Sequence, residues 1–358
     1  MTRTHKVRIY PNDKKQTVLL RHCGVARLTY NWGLNEWNEM YKAGEKPNRF
    51  SVKLRWNHQK RENFPFVYEV SKWCQEAALQ DLSKGFDKFF KKQNHHPKFH
   101  KKGVKDSFRI DGSVVKVDDK TLHLPKKLSL RMAEPLRWQP TKIYNVTVSR
   151  RAGMWFASIS MEVPDTRNEN QVPVGIDLGI KALATLSDGS VYANAKALNR
   201  YERLLKIRQR NLSRKQKGSA NRKKAMLAVA KTHYKIASLR QDVIHKMTSD
   251  VCGKYGVICL EDLNVAGMLK NHKLARSISD ASFGEIRRQF EYKANEVWLV
   301  GRFEPTSKTC SGCGSIKDMP LSLRQYECEP CGLDLDRDHN AAINILRLAK
   351  PLMAMEGV

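Results

Sequence analysis

The sequence of 358 residues predicts an α/β protein joined to a small β-barrel. Three observations predict that class. Residues 107–163 alternate apolar and polar side chains with a period of two, as short half-buried antiparallel strands do. Residues 172–180 (V-P-V-G-I-D-L-G-I) and 255–264 (Y-G-V-I-C-L-E-D-L-N) are apolar runs of the kind buried inside a sheet, each interrupted by acid. The long stretches 11–95 and 201–250 instead repeat their apolar residues at helical spacing.

The formal net charge of +29, with a pI near 9.9, bounds the function more tightly than any other total. Such an excess reads as a phosphate-neutralising surface, so nucleic acid is the expected partner. A membrane is not, because no apolar run approaches the roughly 20 residues of a spanning helix. The first residues, M-T-R-T-H-K-V-R-I-Y-P, lack the apolar core of a secretory signal. Of eight cysteines, four cluster at metal spacing, while Cys23, Cys74, Cys252 and Cys259 lie in apolar segments as ordinary buried thiols. A reducing cytoplasm is the expected location.

In chain order, residues 6–10 form a short strand stopped by Pro11. Leu19, Cys23, Ala26, Tyr30, Leu34, Trp37 and Tyr41 then make one helical face, and several more helical segments follow, including 71–90, with a break between them at Asn63, Phe64, Pro65 and Phe66. This helical part, 11–95, is either a plain bundle or a lobe that grips a nucleic-acid helix. Between residues 86 and 109, Lys88, Lys91, Lys92, Lys98, Lys101, Lys102 and Lys105 are interleaved with Phe89, Phe90, Phe99, His95, His96 and His100. Cations contact phosphates and rings stack on unpaired bases, so the mixture fits a nucleic-acid surface. The three histidines have no cysteine or carboxylate at ligand spacing and are not read as a metal site.

In the alternating region, Val115 and Val117, Leu122 and Leu124, Val146 and Val148, and Trp155, Ala157, Ile159 and Met161 point one way, with a hairpin turn over residues 150–153. The strand at 6–10 is a possible further member, which makes the helical lobe an insertion into the barrel. After Asp177, strands are expected at 182–186 and 191–193 around an Asp188-Gly189 turn. From Glu202 to Arg240 there are thirteen Lys and Arg against one acid, in a helical hairpin broken at 218–221. Ile236, Leu239, Val243, Met247 and Val251 give it a packed side. The basic side suits a duplex. An amphipathic helix over 283–297 and a strand over 297–303 follow.

Cys310-Ser-Gly-Cys313 and Cys328-Glu-Pro-Cys331, fourteen residues apart, supply four thiolates for a tetrahedral zinc ion. Four thiolates leave no open position, so this zinc is expected to be structural. Asp338, His339 and Asn340 then open a helix whose apolar side is Ala342, Ile345, Leu346 and Ala349. Plain capping by an acid explains Asp336, and strand-end capping is an alternative for Asp262. A charge among apolar neighbours is costly unless paired. Asp177, Glu261 and Asp338 thus recur as acids beside core elements, in the order of an RNase H-type sheet. Gly175 and Gly179 are expected to let a substrate backbone approach. Such acids hold two magnesium ions about 3.5–4 Å apart for phosphodiester hydrolysis.

The motifs V-G-I-D-L-G, L-E-D-L, T-S-K-T-C-S-G-C-G, Y-x-C-x-x-C-G and D-R-D-H-N-A-A-I-N-I, with N-terminal K-V-R-I-Y-P and H-P-K-F-H-K-K-G, resemble in order those of the TnpB (OrfB) proteins of insertion sequences, which are related to type V CRISPR effector nucleases. The likeness extends over nearly the whole chain. It implies an RNA-guided DNA endonuclease whose guide RNA pairs with target double-stranded DNA beside a short T-rich motif. It places the nuclease acids on Asp177, Glu261 and Asp338, and the zinc ligands on Cys310, Cys313, Cys328 and Cys331. The implied domains are a wedge-like β-barrel (1–10 and 96–168), a helical recognition lobe (11–95), a RuvC-like nuclease domain (169–305 and 334–358) and an inserted zinc ribbon (306–333). The rivals are a guided DNA-binding protein without cleavage, and a transposase acting on element ends. The order Asp, Glu, Asp disfavours a D…D…E transposase. A junction resolvase would need neither ribbon nor basic lobes.

Overall fold

The computed structural model describes residues 1–165, 167, 170–320 and 323–355, and falls into two compact units, 1–165 and 166–358. The expected boundary at 168/169 and the last residues of the final segment lie outside the described residues.

In the first unit, β1 (Thr2–Ile9) runs up to Pro11, and Asn12 caps α1 (Asp13–Lys42) by accepting from the Lys15 N–H at 2.9 Å. Next come α2 (Arg49–Asn63), which ends at the expected break, and α3 (Lys72–Phe90). Leu19, Cys23, Ala26, Tyr30, Leu34 and Trp37 of α1 are buried as the spacing predicts. Tyr41 is not. The 3.6-residue period carries the buried face to Met40 and leaves Tyr41 exposed. Six short strands follow: β2 (Ser107–Asp111), β3 (Lys116–Asp118), β4 (Thr121–Leu124), β5 (Leu128–Arg131), β6 (Lys142–Arg151) and β7 (Met154–Glu162). The β6–β7 hairpin turns at Ala152 and Gly153, both at positive φ, the backbone twist that a two-residue hairpin loop needs. The strands make an antiparallel sheet ordered β1-β7-β6-β2 and a smaller one ordered β3-β4-β5. Ile9 of β1 bridges to Met132, just after β5.

The second unit opens with β8 (Pro173–Asp177), β9 (Ala182–Leu186) and β10 (Val191–Ala193). The basic hairpin is α4 (Ala197–Ser213) and α5 (Ala220–Lys254), the latter capped by Ser219. Then follow β11 (Val257–Glu261), two short helices α6 (Val265–Met268) and α7 (Ala275–Ala281), α8 (Phe283–Lys293) and β12 (Glu296–Val300). The helix expected at 283–297 starts on time but ends at Lys293, and the strand expected at 297–303 starts and ends earlier. Ala294 donates to Phe290 as the last helical bond, and Asn295 and Glu296 already donate to Gly256, so strand pairing takes over before residue 297. The sheet is ordered β10-β9-β8-β11-β12, with β8, β11 and β12 parallel and β9 antiparallel to β8.

A last hairpin, β13 (Gln325–Glu327) with β14 (Asp334–Asp336), leads into α9 (Arg337–Met355). Side chains alternate across a strand. Val174, Ile176, Ile258 and Leu260 therefore pack toward α5, α7 and α8, while Val257, Cys259 and Val300 pack against Ile345 and Ala349 of α9.

Candidate active site and metal centre

The alternation that builds the core also aims the acids. Residues 175, 257 and 259 face α9, so Asp177 and Glu261 at the ends of β8 and β11 face it too. The strands are parallel with Leu260 opposite Ile176, and one more step of that register sets Glu261 beside Asp177. Both stand at strand carboxyl ends, where open α/β sheets bind ligands.

Gly175 fixes the third acid. A Cβ there would lie 2.1 Å from Ala342 O and 2.7 Å from Leu346 N, so the bare backbone of β8 touches the backbone of α9. Asp338, in the first turn of that helix, is thereby held at the same edge. This corrects the expected role of the glycines. Gly175 makes room for α9 rather than for a substrate, and Gly179 lies close to Ala182 O.

The three charges sense one another. Burial, then the charges of Glu261 and Asp338, push Asp177 up to about 7, with Arg337 pulling the other way. Asp336 caps α9, accepting from the Asp338 and His339 N–H groups at 2.8 and 3.2 Å. Asp262 is ion-paired to Arg287 at 2.9 Å and Arg302 at 2.5 Å, so it is structural. Four participants escaped the sequence reading. Thr306 donates its hydroxyl hydrogen bond to Glu261, Arg324 lies 3.5 Å from Asp338, Arg337 is buried beside Asp177, and His339 approaches Ser187 O at 3.3 Å. Arg337 and His339 flank Asp338 in the motif, the one signal that marked them.

Three carboxylates make a hard oxygen donor set, which suits magnesium or manganese. An acid that resists ionisation beside two others is relieved by a divalent cation. Among the described residues, the four cysteines are the only group whose donor atoms all lie within 4.8 Å of one another; the carboxylates spread wider. In that cluster, Cys310 Sγ lies 3.6 Å from Cys331 Sγ, and Cys313 Sγ lies 3.6 Å from Cys328 Sγ. A tetrahedron with Zn–S bonds of about 2.3 Å has edges near 3.8 Å, whereas a disulfide is about 2.05 Å. All eight cysteines are free thiols, and the set fits a structural zinc.

The basic hairpin divides by role. Arg208 donates to Ala228 O and Thr232, Arg222 to Leu212 O and Lys215 O, and Arg240 to Asp280, so these three bond inward. The other ten Lys and Arg between 202 and 240 are exposed. The run from 86 to 105 divides too. Phe86 stacks on Trp37 and His100 on Tyr30, while Phe90, Phe99 and the seven lysines are exposed. Among the described residues, no helix is long and apolar enough to cross a membrane.

Comparison with known proteins gives three family-model matches. Residues 157–272 match OrfB of IS605, described as a probable transposase, and 283–345 match a Cas12f1-like TNB domain. Residues 1–46, here a strand and one long helix, match a helix-turn-helix domain. A protein of Streptomyces pristinaespiralis is 37% identical over 361 residues, covering 96% of this chain and 88% of the relative. One of Escherichia coli K12 is 30% identical over 375 residues, covering 98% and 92%. Both are named "Putative RNA-guided DNA endonuclease", the second with the suffix InsQ. Among solved structures, the protein of a Cas12f1–sgRNA–target DNA complex matches with a TM-score of 0.55 at 16% identity, covering 96% of this chain and 98% of that one.

Proposed function

The chain belongs to the TnpB (OrfB) family, and on that premise we propose that it is an RNA-guided DNA endonuclease encoded by a transposable element. Asp177, Glu261 and Asp338 are its catalytic acids. A guide RNA selects the target double-stranded DNA by base pairing, next to a short T-rich motif. The observation that carries the reading is the mutual influence of those acids at one sheet edge, with Asp177 pushed up to about 7 by burial and by its two partners.

The strand order β10-β9-β8-β11-β12, in which β9 alone runs against the other four strands, supports an RNase H or RuvC-like sheet over 169–305 and 334–358. The bridge from Ile9 to Met132 supports reading 1–10 and 96–168 as a wedge-like barrel, with 11–95 as the recognition lobe and 306–333 as the zinc ribbon. When bound, a pair of Mg²⁺ ions would activate water for in-line attack on the phosphodiester and balance charge on the leaving oxygen. The chain's own part is positional. Asp177 and Glu261 present oxygens from adjacent strands, Asp338 presents one from α9, and Arg337 keeps Asp177 from being neutralised outright. The exposed cations of α4 and α5 hold phosphates, and the location is the cytoplasm.

The test is cleavage of guide-matched DNA in Mg²⁺ by protein carrying its copurified RNA. Asp177→Ala, Glu261→Ala and Asp338→Ala should each abolish cutting while retaining RNA. Three variants that cut as fast as the parent overturn the site assignment. A parent that joins element ends without RNA favours the transposase instead.

A further inference from the structure

Resting on the carboxylate site just proposed, we infer that Thr306 is a positioning residue for its divalent cations, and that the first cysteine knuckle of the ribbon sets where Thr306 stands.

Two buried asparagines on α9 reach sideways into the ribbon. Asn340 accepts from the Ser311 N–H at 2.9 Å, inside the Cys310–Cys313 knuckle, and donates to Thr309 O at 2.8 Å. Asn344, one turn later, donates to Thr309 O at 2.7 Å and Thr306 O at 2.8 Å. Both side chains are almost wholly buried, so an amide left without a partner there would lose its hydration with nothing in exchange. The ribbon backbone is therefore pinned to the helix that carries Asp338.

Thr306 is itself buried, and its hydroxyl donates to Glu261 Oε1. One carboxylate oxygen is thus engaged and the other is left to a cation. Such outer partners orient a ligand, and their loss typically lowers metal affinity about 10–100-fold. A continuous set of bonds runs from knuckle through Asn340 and Asn344 to Thr306 and Glu261. The cysteine centre and the acids are one construction.

The experiment measures Mn²⁺ binding directly, by the free-ion resonance signal, on full-length zinc-loaded protein with its RNA. Thr306→Val, which keeps the shape and loses the hydroxyl, should weaken Mn²⁺ binding about tenfold or more. Thr306→Ser, which keeps the hydroxyl, should stay within about twofold of the parent by the same logic. Asn344→Ala should weaken Mn²⁺ while zinc content, measured separately, stays at one per chain. Parent-like binding by Thr306→Val, or equal weakening by Thr306→Ser, overturns the role of Thr306. Parent-like binding by Asn344→Ala overturns the part given to the ribbon. If Asp177→Ala alone binds Mn²⁺ as the parent does, the carboxylate site itself fails, a result distinct from the others.

Discussion

Replacing Gly175 by alanine tests the fold and the site together. The added carbon would lie 2.1 Å from Ala342 O and 2.7 Å from Leu346 N, the two atoms that close one turn of α9. Ordinary nonbonded contact is about 3.5–4.0 Å, so β8 and α9 must separate by more than about 1 Å or the helix must open. Overpacking of this kind costs about 1–3 kcal/mol, and more where the obstacle is backbone. In a unit of this size, a loss of 2 kcal/mol lowers the melting midpoint by about 4–8 °C. Asp338 rides on the displaced helix, so cleavage in Mg²⁺ should fall with stability. Gly284→Ala is the control: nothing lies within 4 Å of a Cβ there, and in α8 the change should be neutral or stabilising by up to about 1 kcal/mol. Calorimetry and a cleavage time course on both variants decide it. If Gly175→Ala melts and cuts like the parent, the close approach of β8 to α9 is refuted.

The raised Asp177 gives a pH signature. Its folded value of about 7 lies above the ordinary 3.8, so the native state holds a proton that the unfolded chain releases between those values. In a chelator, that contribution to stability is full below about pH 4 and lost as pH rises to 7. Asp177→Asn should therefore raise the urea midpoint at pH 8 but not at pH 4, and added Mg²⁺ should erase the gain; a gain at both pH values contradicts it. Cys310→Ser or a strong chelator should release zinc and unfold the ribbon, read by zinc content and proteolysis, and a ribbon that stays folded contradicts the metal assignment. Lys223→Ala and Lys224→Ala should each weaken RNA binding and reduce the slope of log affinity against log salt by up to about 1. Arg208→Met and Arg222→Met should instead lower the melting midpoint, since those guanidiniums bond to α5 and to the α4 end.

Much of this was legible in local pattern. Period-two alternation located β6 and β7, apolar runs located β8 and β11, and the cysteine spacing located the metal cluster, because each depends on residues near one another in the chain. The trio of acids was legible as a set of residues; their neighbourhood was not. What Gly175 touches is decided by a helix far along the chain, so its packing role looked like a substrate approach. Thr306 opened the quoted motif T-S-K-T-C-S-G-C-G, yet nothing local marked its hydroxyl, whose partner sits on β11. In the hairpin, composition counted thirteen cations alike, while geometry turned Arg208, Arg222 and Arg240 inward. The ends of α8 and β12 slipped because apolar residues continue through both, and only the bonds to Gly256 say where one becomes the other.

The ten outward cations of the hairpin formed by α4, α5 and their connection carry a thermodynamic cost of their own. Like charges on one arm repel, and dissolved ions mute that repulsion beyond about 10 Å at 0.1 M and at shorter range as salt is added. Added salt should thus firm up the isolated protein while loosening its grip on any polyanion. A nucleic-acid strand laid along the arm acts as a far more effective counterion, so the arm reaches its firmest state only in company.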